Sequence, residues 1–302
     1  MTTHAMGPLA GLSWLKRAIN LGRHNARAVF GGAALLMVVA LVPSVIQLVL
    51  QSLFKPDTNG SLVIAAALTL FSIVLLPPLV GGYLRLIHAS ESGQPARASD
   101  VLAPLRDRGD ALRLIGFGLL MTAIYLVVAL VVIKLFGEGL LEWYLQVLAL
   151  SQQGQSPDPS ALPALPEGFG RVLGLGTLLA LFLSGVYAIG FGQIALTPRS
   201  IGGAIGDGLV GTLKNLLPML VLAVVVFLAS IVLGLVLGLV LGLLAVIGGL
   251  VHPALSVALV LPVYIALLVV LYVVMFGVMY YFWRDVCGET PPPVAGDHHV
   301  AV

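Results

Sequence analysis

Charge is what this chain has least of. Only 9% of its 302 residues are Asp, Glu, Lys or Arg, against roughly 25% in an ordinary soluble domain. Too few charges remain to cover a water-soluble particle, while 59% of the residues are hydrophobic, so the bilayer is the natural solvent. Cysteine is almost absent: Cys287 stands alone, which excludes an internal disulfide and any site built on several thiolates. The net charge is only +2, so there is no broad basic footprint for nucleic acid. Aromatics are sparse, and the apolar runs of Leu, Val, Ala and Gly extend far past the alternating segments of about 10 residues that a membrane barrel would show. The expected fold class is all-α, a polytopic transmembrane helical bundle.

Catalytic templates are missing too. No His-Glu-x-x-His pair, Gly-x-Ser-x-Gly elbow or P-loop occurs. Intramembrane charge, the usual pointer to a proton or ion path, is also lacking. Arg85, Arg113, Lys134 and Arg171 fall near span ends, where snorkelling avoids the roughly 2.5–3.5 kcal/mol of a mid-span cation. His298 and His299 sit in a Pro- and Gly-rich tail and His252 in a hairpin turn, so none reads as a metal ligand. Asp107 and Asp110 lie among Arg106, Arg108 and Arg113 and read as a solvated loop rather than an acid–base pair. The chain is read as not an enzyme, with no catalytic residue, cofactor or metal expected.

Six spans are expected, at about 28–54, 62–86, 112–136, 172–197, 216–244 and 255–283. Each is long enough for roughly 30 Å of hydrocarbon. The run 216–283 is too long for one crossing, and Ile247-Gly248-Gly249-Leu250-Val251-His252-Pro253 supplies the turn. Around the transmembrane domain 28–284 lie an amphipathic N-terminal segment, 1–27, and a tail, 285–302, expected to be disordered beyond Pro291-Pro292-Pro293. The first apolar run follows a basic stretch and is too long for a signal peptide, so no cleavable signal is expected. Lys16, Arg17, Arg23, Arg27, Arg85, Arg97, Arg106, Arg108, Arg113, Arg199, Lys214 and Arg284 fall on one side, and Lys55, Lys134 and Arg171 on the other. The positive-inside bias then predicts both termini in the cytoplasm. Tyr280-Tyr281-Phe282-Trp283 beside Arg284 suits one interface, and Trp143 with Tyr144 the other. Glu138, Leu141, Trp143 and Leu145 predict a short interfacial helix, followed by an irregular 152–167 stretch.

A short amphipathic segment precedes each odd-numbered span. Leu12, Leu15 and Ile19 share one helical face in the first, with Lys16, Asn20 and Arg23 on another. In the second, Ser99 or Asp100 can cap a turn carrying Val101, Leu102 and Leu105, after which Gly109 offers a stop and Asp110 a new N-cap. In the third, Ser200 can cap a helix with Ile201, Ile205 and Leu209 on one stripe, and Asn215 opens the next span as Asn25 opens the first. Three repeats of interfacial helix plus hairpin, or three independent connectors, both fit this pattern. The Trp14 segment, the Pro77-Pro78-Leu79-Val80-Gly81-Gly82 stretch and the 198–215 connection resemble a family of uncharacterised bacterial six-span proteins. That family looks related to the membrane domain of some bacterial glycerophosphodiester phosphodiesterases. The resemblance implies a bacterial cytoplasmic membrane and a similar bundle, and no catalytic residues, because the hydrolase domain is absent. Gly203 and Ala204 stand where a repeat like the first would place Trp14.

Within the spans, Ser44, Gln47, Gln51, Ser184, Tyr187, Gln193, Tyr264 and Tyr272 carry the polar groups. Gln47 and Gln51, four apart, share a face and fit either interhelical hydrogen bonding or a polar cavity. Pro77 and Pro78 with Gly81 and Gly82 predict a kink whose freed carbonyls must face protein or water, with milder kinks at Pro43 and Pro262. Ser230, Gly234, Gly238 and Gly242 form a flat stripe for close helix packing, within the chain or by self-association. The first functional reading is a non-enzymatic scaffold or partner-binding membrane component, contacting membrane lipids, a protein partner at the cytoplasmic face or another copy of itself. The second is a lipid-handling protein or permease for small apolar solutes.

Overall fold

The computed structural model describes residues 3–54, 58–152 and 163–288. Its elements are α1 (Ala10–Ile19), α2 (Ala26–Phe54), α3 (Thr58–Glu91), a 3-10 helix (Ala98–Arg106), α4 (Arg108–Phe136), α5 (Leu140–Gln152), α6 (Phe169–Leu196), α7 (Ile201–Lys214), α8 (Leu216–Val251) and α9 (Pro253–Cys287). No strand occurs among the described residues, so the fold is all-α as the composition requires. Six helices, α2, α3, α4, α6, α8 and α9, are long and apolar enough to cross a membrane, and the chain is a multi-pass membrane protein. Lys55, most of the 152–167 stretch, Pro291-Pro292-Pro293, His298 and His299 lie outside the described residues.

Element order repeats three times as a short helix followed by two long ones, with α5 inserted in the second round. Several helices outrun the expected spans. α8 has 36 residues, about 54 Å of helix against a hydrocarbon core of about 30 Å. α9 continues through Asp285 to Cys287, so residues 285–287, expected in the tail, are part of the packed helix.

The chain divides into two compact units, Leu119–Ser184 and the remainder. In the larger unit, α2 and α3 form one hairpin and α8 and α9 another. Its core gathers at one end of the long helices. Trp14, Tyr83, Leu114, Phe117, Ile189 and Tyr280 are all buried there. The Tyr83 hydroxyl donates to the Val29 carbonyl at 3.1 Å, joining α2 to α3 inside the core. The 3-10 helix docks on α3 where Gly82 meets the backbone carbonyl of Val101, an approach that only a residue without Cβ permits.

In α1 the packed face is not the Leu12, Leu15 and Ile19 stripe but the small and aromatic one: Gly11, Trp14 and Ala18 are buried, while Leu12 and Ile19 are exposed, as an interfacial helix requires. Likewise α7 buries Ala204, Asp207, Gly208, Gly211 and Thr212 and leaves Leu209 exposed. In a bilayer an exposed apolar face is solvated by lipid, and small side chains give the close protein contact. Cap positions also differ. Asp107, not Asp110, accepts the Gly109 amide at 2.9 Å at the start of α4. Asp100 takes part in the cap of the 3-10 helix from inside it, its carboxylate reaching back to accept the Arg97 amide at 2.7 Å. Ser200 does cap α7, accepting from the Gly203 amide at 3.2 Å. His252 is the N-cap of α9, its Nδ1 accepting the Ala254 amide at 3.1 Å, a turn role.

The smaller unit holds the distal part of α4, α5 and the first part of α6. The predicted interfacial helix is present as α5. The Trp143 indole donates to the Pro163 carbonyl at 3.0 Å and packs on Phe169.

Candidate functional site

Three features could carry function: a polar belt at the basic end of the larger unit, the Pro-Gly stretch of α3 with Gln47 and Gln51, and the small-residue stripe of α8.

The belt begins at the C-terminus of α6, whose last carbonyls have no partner inside the helix. Arg113 donates to the carbonyls of Ile194 and Thr197 at 2.7 and 2.6 Å. Arg85 donates to the Ala195 carbonyl at 2.7 Å and grips Asp110 through both terminal nitrogens. Beside them Asp207, buried in α7, accepts from Arg199 at 2.8 and 2.9 Å and from Gln193 at 3.0 Å. The hydrogen bond and charge of Asp207 hold the Arg199 guanidinium above its ordinary pKa. On α9, Asp285 takes the Arg17 guanidinium and, at 3.0 Å, the Trp14 indole. Tyr281 donates to Glu91 at 2.6 Å, with Arg17 and Arg284 over its ring at 4.6 and 4.8 Å.

Each carboxylate of the belt is therefore committed to a guanidinium, an amide or a phenol, which reads as helix anchoring. Of these residues only Gln193 is among the polar groups that the sequence places within the spans. Arg85 and Arg113 look like snorkelling cations there, and nothing local marks them as caps for a helix about a hundred residues away. Asp285 had one usable signal: Trp14 and Arg17 are three apart on one face, and a single acid follows Trp283.

Pro77, Pro78, Gly81 and Gly82 are all buried within the unbroken run of α3. A Cβ on Gly81 would meet Leu114 at 2.6 Å, Gly82 lies on Val101 and Pro104, and Gly118 lies on Pro77. Of the two alternatives, protein or water, the stretch faces protein at these positions. Gln47 and Gln51 are half-exposed on α2 among exposed Val45, Ile46, Leu48 and Val49. Gly32 meets Tyr83. Gln47 lies about 22 Å further along α2 and Pro77 about 9 Å back along α3, so the two groups sit at different depths of the hairpin.

The stripe is different again. A Cβ placed on Gly234, Gly238 or Gly242 would meet no atom within 4 Å. The Ser230 hydroxyl turns back to the Phe227 carbonyl at 2.7 Å, and every residue of 226–236 is exposed. Among the described residues, no helix packs against the stripe at these glycines.

In the smaller unit, α4 and α6 border an open groove of about 170 Å³. Its walls are apolar apart from Tyr125, with Val132, Val172, Leu179 and Leu183 among them. No group of three His, Cys, Asp or Glu placed to hold a metal ion occurs among the described residues. The chain matches no family model, no curated protein and no solved structure.

Proposed function

We propose that this protein is a non-enzymatic membrane component that works by binding another membrane-embedded chain. The unfilled stripe Ser230, Gly234, Gly238 and Gly242 carries this reading. Small residues every four positions let two backbones approach closely, and association in lipid is driven by such packing rather than by the hydrophobic effect. The committed carboxylates of the belt support a scaffold over a catalyst. The charge asymmetry of the sequence supports placing the belt at the cytoplasmic side, with both termini inside. The resemblance to bacterial six-span proteins supports the bacterial inner membrane.

The test is native mass spectrometry of the protein extracted in its own lipids. A second chain, different or identical, is expected at fixed stoichiometry, and Gly238→Ile is expected to remove it without changing the thermal stability of the protein itself. Recovery of the bare monomer from mild extraction would end this reading.

The apolar groove between α4 and α6 favours a second reading, a lipid-handling protein or permease for apolar solutes. Its test is Gly176→Leu, which fills the groove. Unchanged lipid retention and unchanged membrane lipid distribution would remove its basis.

A further inference from the structure

We infer that Arg23, Arg27 and Arg97 form a binding site for the headgroup of an anionic phospholipid. The inference rests on the turn between α1 and α2 and on neither reading above. Asn25 fixes that turn twice: its Oδ1 accepts the Ala28 amide at 3.1 Å, and its Nδ2 donates to the Ala96 carbonyl at 3.1 Å. The second bond draws the segment leading into the 3-10 helix onto the start of α2. Gly31 then lies against the Cβ of Ala98. Arg27 lies one turn before Gly31 on the same face of α2, and Arg97 lies between Ala96 and Ala98, so the two contacts bring the backbones that carry both arginines to one end of α2.

All three arginines are exposed, and none has an ion-pair partner among the described residues. Asp100, three residues after Arg97, is engaged by the Arg97 amide. Three guanidinium groups against one carboxylate leave two positive charges. They stand at the N-terminus of a helix, where the backbone dipole adds to the attraction for a phosphate.

What selects a lipid over a free anion is depth. Arg27 lies in the first turn of a helix long and apolar enough to span the membrane, which sets it at headgroup level. Ile19, four residues before Arg23, is 63% exposed and provides apolar contact beside the cations. Fixed cations next to exposed apolar side chains are how a protein surface takes a phospholipid.

The experiment uses the full chain in nanodiscs containing equal phosphatidylglycerol and phosphatidylcholine, read by native mass spectrometry. Phosphatidylglycerol is expected to be retained preferentially. The Arg23→Gln/Arg27→Gln/Arg97→Gln variant is expected to lose that preference by about fivefold per arginine at low salt. Arg27→Gln alone, expected to lose about fivefold, serves if the triple variant does not fold. The pair Lys134→Gln/Arg171→Gln is expected to leave the preference intact. Equal retention of the two lipids by the unmodified chain, or a triple variant with the original preference, would overturn the inference. So would displacement of the lipid by millimolar inorganic phosphate but not by chloride of equal ionic strength, which would identify a soluble-anion site.

Discussion

Arg85 of α3 donates its Nε–H to the carbonyl of Ala195, 2.7 Å away in the last turn of α6. The terminal nitrogens of the same guanidinium hold Asp110 of α4. One side chain thus ties three spanning helices, supplying a donor where a helix end carries partial negative charge. Arg85→Ala is expected to destabilise the protein by about 2 kcal/mol, below the value for a fully buried pair because the side chain is 35% exposed. Lysine offers a point charge in place of a planar fork, so Arg85→Lys should recover less than half. Thermal unfolding in detergent measures both. Combining Arg85→Ala with Asp110→Ala should cost less than the sum of the two single changes, since both remove one shared contact.

Trp14 is fully buried on Phe282, with ring centroids 4.7 Å apart, and its indole reaches Asp285. Trp14→Ala is expected to cost about 3–5 kcal/mol from lost contact and the cavity left behind. Trp14→Phe keeps most of the packing, and Asp285 keeps Arg17, so a loss of about 1–2 kcal/mol is expected. If the two variants unfolded at the same temperature, packing would not be what Trp14 contributes.

How far the sequence reaches can be judged from these residues. Hydropathy locates the six spans because lipid demands long uninterrupted apolar helices. It underestimates their ends because His88, Glu91 and Asp285 sit in helix where protein groups hold them: His88 on Tyr280, Glu91 on Tyr281 and Asp285 on Arg17. The faces of α1 and α7 follow from the same solvent. In water the stripe Leu12, Leu15 and Ile19 would be the packed one, whereas in a bilayer Gly11, Trp14 and Ala18 pack and the stripe meets lipid. The Pro77–Gly82 composition fits a cavity and a tight crossing equally well. Only the placement of Val101, Pro104 and Leu114, remote in sequence, decides for the crossing.

Two glycines separate packing from its absence. Gly82 lies on the Val101 backbone, which cannot yield as a flexible side chain would, so Gly82→Ala should cost about 1–3 kcal/mol. Gly238 has no neighbour within 4 Å, so Gly238→Ala should change the stability of the isolated chain by less than about 0.5 kcal/mol. A large loss at Gly238 in monomeric protein would mean that α8 packs within its own chain, and the free-face argument would fail.

Orientation follows from where the cations lie, and a single-cysteine scan can check it. Cys287 is buried, so Cys287→Ala gives a silent background. Ser92 and Glu138 are exposed, in the turns after α3 and α4 respectively, which the proposed six-span orientation assigns to opposite sides of the membrane. With both termini inside, a membrane-impermeant maleimide applied to intact cells should label Glu138→Cys and spare Ser92→Cys. Breaking the cells should expose both. Twelve of the fifteen Lys and Arg residues share the side of Ser92, and each basic residue near a span end resists translocation. Labelling of Ser92→Cys alone in intact cells would invert the orientation. It would also move the Arg23–Arg27–Arg97 cluster to the outer leaflet, where the lipid available to it would be different.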